Sequence, residues 1–284
     1  MHTRLSPDNP WGCGRYGFAW EKVPRGGAAH LDFGCYEGAF LHSLASRGTG
    51  RLVGVDASRD AVARGRERYP ALELLHVPAG ARLPFPDGTF TSVTLLDVIE
   101  HVADQAGLLD ELNRVLSQDG RLIVTVPGLH AFSALDAGNL KFRFPRLHRW
   151  YYCRRHTREE YEYRYVSNPD GMIGDVAVAK RWHEHFSRKK LARLLETSGF
   201  SVVEFDGSGL FFRPLEWIGF VLNRLPRGKH LLRALIAADA GRFESANLFC
   251  VAHRSGLPGG APASAMGRRD FLRHSAGGTC MRRT

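Results

Sequence analysis

Cysteine is scarce in this chain of 284 residues, and it is never paired in sequence. The five cysteines, Cys13, Cys35, Cys153, Cys250 and Cys280, are scattered and odd in number, with no CxxC among them. That pattern argues against a disulfide framework and against a structural zinc site, and it fits a reducing compartment such as the cytoplasm. Long apolar runs are also missing. No stretch approaches the roughly 20 residues that a spanning helix needs. The first residues, MHTRLSPDNPWG, hold no apolar run, so no signal peptide is expected. There is no internal repeat.

Acidic residues are in deficit, 29 against 39 Lys and Arg, which leaves a net charge of +10. The basic excess concentrates in 141–158, KFRFPRLHRWYYCRRHTR, and in the tail at Arg268, Arg269, Arg273, Arg282 and Arg283. A solvated face and a loose tail account for such charge as readily as an anionic partner does. By itself the balance selects no function.

What is there is a chain 44% hydrophobic, enough for a sizeable core in one large domain. Residues 1–27 are rich in Gly, Pro and aromatics and read as an arm folded over that core. From residue 28 strands and helices alternate. AAHLDF, RLVGVDAS, LELLHV, FTSVTLLDVI and SQDGRLIVTVP supply five strands. Between them lie helices in GAFLHSLASRG, RDAVARGRERYP and QAGLLDELNRVL. Such alternation predicts a parallel sheet with right-handed crossovers, whose ligands bind at the carboxyl ends of the strands. Asp32 through Gly38, Asp56, and Asp97 through His101 all fall at those ends. The alternation breaks at 128–180, read as an insertion, and resumes in WHEHFSRKKLARLLETSGFSVVEFDG. Ser187 is expected to cap the helix there and Gly199 to end it. Residues 207–243 form a second insertion and ANLFCVAHR the last strand. Thus 28–254 is one domain, and 255–284 reads as a disordered tail.

The stretch HLDFGCYEGAF carries the first chemistry. Gly34 and Gly38 allow a sharp turn from strand to helix and a close backbone approach to a ligand. Asp56 ends the next strand, 18 positions beyond Gly38, where a carboxylate can accept both ribose hydroxyls of an adenosine cofactor. A helix cap would also explain an aspartate at that place. A pyrophosphate cofactor calls for G-x-G-x-x-G, whereas the spacing here is G-C-Y-E-G, with Glu37 where a phosphate would be repelled. An acidic loop suits a cationic ligand, and S-adenosylmethionine carries an ammonium and a sulfonium.

HLDFGCYEGAF, GVDAS, LPFPDGTFTSVTLLDVIEHV and LLDELNRVLSQDGRLIVTVP together resemble the class I S-adenosylmethionine-dependent methyltransferases, in particular the small-molecule, methyltransferase type 11-like group. The resemblance covers about 28–130 and, more weakly, 182–206. It implies an α/β, Rossmann-like, doubly wound and mostly parallel seven-stranded sheet with the last strand antiparallel. It also implies that Asp32, Gly34 and Gly38 surround the methionine part of the cofactor, that Asp56 holds the ribose, and that the segment around Asp97 borders the sulfonium. Cys35 and Ala57 adjoin these residues and complete that candidate set. Two positions depart from the family pattern. Tyr36 replaces the middle glycine, with its ring expected to turn outward. Ala79 stands where an acidic residue often meets the adenine amino group, which leaves backbone near Gly80 for that role.

Methyl transfer to a hydroxyl requires a base, and His101, His183 and His185 are the candidates. Packing or capping explains each histidine equally well, and H-x-H without a nearby third carboxylate is weak as a metal site, so no metal is expected. The Asn- or Asp-Pro-Pro-aromatic tetrad of amino-group methylators is missing: DVIE stands after strand four. The expected reaction is O-methylation of a small-molecule, glycan or lipid-linked acceptor, with peripheral membrane contact through apolar 210–236 as an option. The alternatives are an RNA methyltransferase using the basic insertion, and a cofactor-binding protein without catalysis. A nicotinamide enzyme ranks last.

Overall fold

The computed structural model describes residue 6 and residues 8–11, 14–26, 29–130, 143–167, 184–211, 214–215, 218–219, 222, 224–240, 242 and 247–255. The chain opens with helix α1 (Arg15–Lys22), then strand β1 (His30–Phe33), α2 (Ala39–Leu44), β2 (Leu52–Asp56), α3 (Arg59–Arg68), β3 (Glu73–His76) and β4 (Phe90–Leu96). It continues with α4 (Gln105–Val115), β5 (Leu116–Pro127), α5 (Pro145–Tyr152), α6 (Arg158–Glu162), α7 (Arg188–Thr197), β6 (Phe200–Gly207), α8 (Gly228–Ala240) and β7 (Asn247–Arg254).

The strands form one seven-stranded sheet in the order β3-β2-β1-β4-β5-β7-β6. β1 pairs in parallel with β2 and β4, β2 with β3, and β4 with β5, while β7 runs antiparallel to both β5 and β6. The implied sheet with an antiparallel last strand is therefore the one observed. Strand order reverses between β1 and β4, and the carboxyl edge at such a switch point is where open α/β sheets bind their ligands.

Local chemistry explains the helix ends. Ser58 caps α3 by accepting from the Ala61 N–H, and Asp104 caps α4 from the Gly107 N–H. Ser187 does the same for α7 through Lys190, and Gly199 takes a left-handed φ of 77° just past that helix. The central strands are buried on both faces, so they read as continuous runs of Leu, Val and Ile. Leu109, Leu112 and Val115 of α4 and Leu191 and Leu195 of α7 close one face of the sheet. Phe18, Ala19, Trp20 and Val23 pack with Phe40, Leu41 and Leu44 on the other. Burying a large aromatic such as Trp20 contributes about 2–3 kcal/mol, which anchors α1 on the sheet.

One strand is shorter than the sequence suggests. FTSVTLLDVI reads as a strand through Ile99, but β4 ends at Leu96. Asp97 turns the chain with a φ of 54°, and Ile99–His101 follow as a single 3₁₀ turn. A run of apolar residues cannot by itself distinguish a strand from the turn that ends it. The expected tail, 255–284, lies outside the described residues but for Ser255.

Candidate active site

The turn between β1 and α2 is drawn tight against its neighbours. The Gly34 and Cys35 N–H groups both donate to the Val55 carbonyl, at 2.8 and 3.1 Å, and the Gly38 N–H donates to the Cys35 carbonyl at 2.8 Å. Gly34 has a φ of 80°, and a Cβ built on it would lie 2.4 Å from Val98 Cγ2. The end of β4 therefore sits directly over this turn, and only glycine fits beneath it. Cys35 faces inward: its Sγ would lie 2.7 Å from a Cβ on Gly54, and burial pushes its thiol pKa well up. Cys35 thus contributes packing and backbone to the turn, with its thiol buried against Gly54.

Tyr36 occupies the middle-glycine position at a φ of 51°. That conformation is free for glycine and costs about 1 kcal/mol for other residues, which explains why glycine is the usual choice there. The Tyr36 ring is exposed and lies against Arg64 of α3, with the guanidinium 5.8 Å from the ring centroid. Glu37 is also turned to α3. Its carboxylate pairs with Arg64 at 2.8 Å and lies 3.7 Å from Arg68. The expectation that Glu37 would repel a phosphate is corrected here, because those arginines offset its charge.

Three carboxylates converge on the strand ends. Asp56 accepts the Tyr36 N–H at one oxygen and the Ser58 N–H at the other, each at 2.8 Å. Each oxygen keeps a lone pair for a ligand hydroxyl. Burial raises its pKa, while the backbone donors and nearby His76 act in the opposite direction. Asp32, in β1, is buried, and burial pushes its pKa up to about 7 against a hydrogen bond from Thr94 at 2.7 Å. Behind Thr94 stands His30, fully buried, with its pKa pushed down to about 3 by that burial. Neutral His30 bridges Thr94 at 3.1 Å and Ser92 at 2.8 Å, so a buried polar chain supports Asp32 from beneath the sheet edge. Asp97 accepts from the Thr125 hydroxyl at 2.8 Å. Its other oxygen forms an ion pair with Arg15.

Arg15 is a residue that sequence reasoning missed. Its neighbour Tyr16 is missed likewise: its hydroxyl pKa is raised by burial, with Asp97 and Asp32 adding to the effect. Trp11 and Tyr16 stack on one another and on Phe40, and the Trp11 indole N–H donates to Ser43 at 2.8 Å. The arm therefore brings an arginine and a tyrosine to the carboxyl edge. The only signal in the sequence was the density of aromatics in NPWGCGRYGFAW.

The remaining candidates divide. Ala57 is exposed beside Asp56, and Gly80 lies in an exposed turn at a φ of 75°, where the Ala81 N–H closes on the Pro78 carbonyl. His101 is half-buried at the end of its 3₁₀ turn, with Nε2 3.9 Å from the buried carboxylate of Glu100. His185 precedes Phe186, which bridges to Gly128 beyond the end of β5. Gln105 ties the two regions together: its amide donates to the Ile99 carbonyl at 3.0 Å and to Glu184 at 2.8 Å. His101 and His185 are thus held on segments joined at the same edge. His183 lies outside the described residues.

Residues 31–124, which contain the glycine turn, Asp56 and the Asp97–His101 segment, match the family described as "Methyltransferase domain". Over this stretch the chain carries a methyltransferase domain of the class I S-adenosylmethionine-dependent type. A Mycobacterium tuberculosis protein named as a probable S-adenosylmethionine-dependent methyltransferase is 39% identical over 105 residues, covering 36% of this chain and 37% of the relative. A demethylmenaquinone methyltransferase of Bacillus licheniformis is 34% identical over 130 residues, covering 43% and 54%. The methyltransferase solved with the Haloferax volcanii Trm112 activator shares the fold, with a TM-score of 0.54 at 17% identity over 86% of this chain and 89% of that one. The chain spans less than half the length of the first curated relatives it matches.

The methyltransferase domain has S-adenosylmethionine as its cofactor, and the side chains present suit that molecule. Gly34 lies under Val98 with no room for a Cβ, so the turn follows a backbone path open only to glycine. The carboxylates at the ends of β1, β2 and β4 match an ammonium, a ribose diol and a sulfonium better than a phosphate. Among the described residues no helix is long and apolar enough to cross a membrane.

Proposed function

We propose that this methyltransferase domain alkylates a small, largely apolar acceptor that bears a hydroxyl group, at that oxygen or at a ring carbon activated by it. The observation that supports this reading is the shared strand edge, where Asp32, Asp56 and Asp97 stand at or just after the ends of β1, β2 and β4 and Gln105 ties the His101 turn to Glu184 beside His185. When bound, S-adenosylmethionine supplies an electrophilic methyl group. Asp56 would hold the ribose, Asp32 the ammonium, and the Asp97 region the sulfonium side. His101 or His185 would take the acceptor proton, which turns a hydroxyl into the nucleophile that either outcome requires. The buried Glu100 carboxylate beside His101 would stabilise the imidazolium so formed.

In this reading residues 28–254 are the catalytic unit, 1–27 a covering arm, and 128–180 and 207–243 the elaborations that shape the acceptor side. The quinone named for the Bacillus relative supports an apolar acceptor. The test is calorimetric titration with S-adenosylhomocysteine, followed by radiolabelled methyl transfer to a panel of phenols, hydroxyquinones and isoprenoid alcohols. The expected result is saturable binding, weakened by Asp56→Ala, with turnover on at least one hydroxyl-bearing member. Binding without turnover on any of them would reduce the chain to a cofactor-binding protein.

A further inference from the structure

The segment 143–167 holds an arrangement that methyl transfer does not use. α5 and α6 pack on one another through their own aromatic cluster. Tyr161 is buried, with His148 at 5.7 Å, Tyr152 at 5.7 Å and Tyr165 at 5.1 Å between ring centroids. Arg149 pairs with Glu162, and a capping box at Thr157 and Glu160 fixes the start of α6. One side of α5 is therefore fully occupied.

Its other side is apolar and faces solvent. Phe144, Leu147, Trp150 and Tyr151 are 55–58% exposed. Their spacing gathers them within about a third of the helix circumference, opposite Arg149 and the His148–Tyr152 side. Large exposed aromatics on a helix whose opposite face is already packed are not needed for folding. Cations frame them. Arg154 lies over the Trp150 ring at 4.8 Å and Arg155 over the Tyr151 ring at 5.7 Å, and Arg146 is exposed beside them. Residues 143–158 contain no Asp or Glu, so the face carries charge of one sign.

We propose that this face of α5 docks on an anionic lipid bilayer. Leu147, Trp150 and Tyr151 enter the boundary between headgroups and acyl chains, where aromatic rings with one polar edge are most stable. Arg146, Arg154 and Arg155 meet the anionic headgroups, and the two stacked arginines keep their charge at the surface while their stems cover the rings. A single-stranded nucleic acid would also use arginines and aromatics. The aliphatic Leu147 at the centre of the face has no base to stack on, and it selects the bilayer. The docking is independent of which acceptor is methylated.

The test is co-sedimentation of the full chain with extruded vesicles of phosphatidylglycerol and phosphatidylcholine, against phosphatidylcholine alone, at low and high salt. The expected result is binding at least about tenfold stronger to the anionic vesicles, weakened by salt. Combined Arg146→Glu, Arg154→Glu and Arg155→Glu should lower it by about a hundredfold. Leu147→Ala with Trp150→Ala should lower it by about tenfold or more while leaving S-adenosylhomocysteine binding unchanged. Three results would overturn the proposal: no vesicle binding by the wild-type chain, binding indifferent to both variants, or binding of a single-stranded RNA oligonucleotide that the variants abolish while anionic vesicles neither bind nor compete.

Discussion

The carboxyl edge of β1, β2 and β4 and the α5–α6 segment treat their side chains in opposite ways. At the strand edge, polar groups are drawn inward and held by the backbone. Asp56 is gripped by two N–H groups, and Asp32 rests on Thr94 and His30. In α5, apolar rings are pushed outward, and among the described aromatics of 143–167 only Tyr161, in α6, is buried. The first region is costly to build and tolerates little change. The second is local, is held by its own aromatic contacts, and leaves its outer face open to a second surface. Buried polar groups specify a site because each needs its partner, whereas exposed apolar groups need only a second surface.

The sharpest way to break the contrast is Gly34→Ala. The new methyl would overlap Val98 Cγ2 and sit on a left-handed backbone, so a loss of about 2–4 kcal/mol in stability and of measurable S-adenosylhomocysteine binding is expected. Adding Val98→Ala should recover part of the melting temperature, which separates the clash from the backbone strain. Asp56→Ala comes next. It removes the proposed ribose acceptor and orphans the Tyr36 and Ser58 N–H groups, so affinity should fall about 10- to 100-fold by calorimetry.

The pH response tests Asp32. Its folded pKa, pushed up to about 7 by burial, lies above its unfolded value. The folded chain therefore binds the extra proton, and the stability of the free protein should fall as pH rises from about 4 to about 7, then level off. Affinity for the ammonium of S-adenosylhomocysteine should run the other way, rising up to about tenfold per pH unit below 7 and flattening above it. Thr94→Val removes the hydrogen bond that holds this pKa down, so the affinity profile should move to higher pH. Guanidinium melts and calorimetry across pH 5–9 read both trends.

Tyr161→Ala should sharpen the comparison from the other side. It empties the α5–α6 cluster, so it should abolish vesicle binding while changing S-adenosylhomocysteine affinity less than about twofold. The smallest effect is expected for Tyr36→Gly. Relief of the left-handed φ offsets the lost contact with Arg64, and both affinity and stability should move by less than about 1 kcal/mol.

Much of the carboxyl edge was legible before any coordinates. Gly34, Gly38 and Asp56 announce themselves by residue type and spacing, because a tight strand-to-helix turn needs glycine and a strand end needs a side chain that reaches outward. Asp97 was read only in part. Its position near the end of a strand was clear, but its left-handed turn and the early end of β4 were not, since apolar residues flank Asp97 on both sides in LLDVI and periodicity has no mark for a turn inside such a run. Glu37 was misjudged because its charge was read without Arg64, which lies 27 positions away on another helix.

By itself the sequence determined the alternation of strands and helices, the cap at Ser187, and the carboxylates Asp32 and Asp56 at successive strand ends. These follow from local periodicity, turn chemistry and residue charge, which act over a few positions. Only the tertiary structure decided that Arg15 meets Asp97 across 82 positions, that Gln105 joins the His101 and His185 segments, and that Trp150 faces outward while Tyr161 faces inward. Those outcomes depend on which surfaces the folded sheet leaves open, and a surface exists only once distant segments have packed.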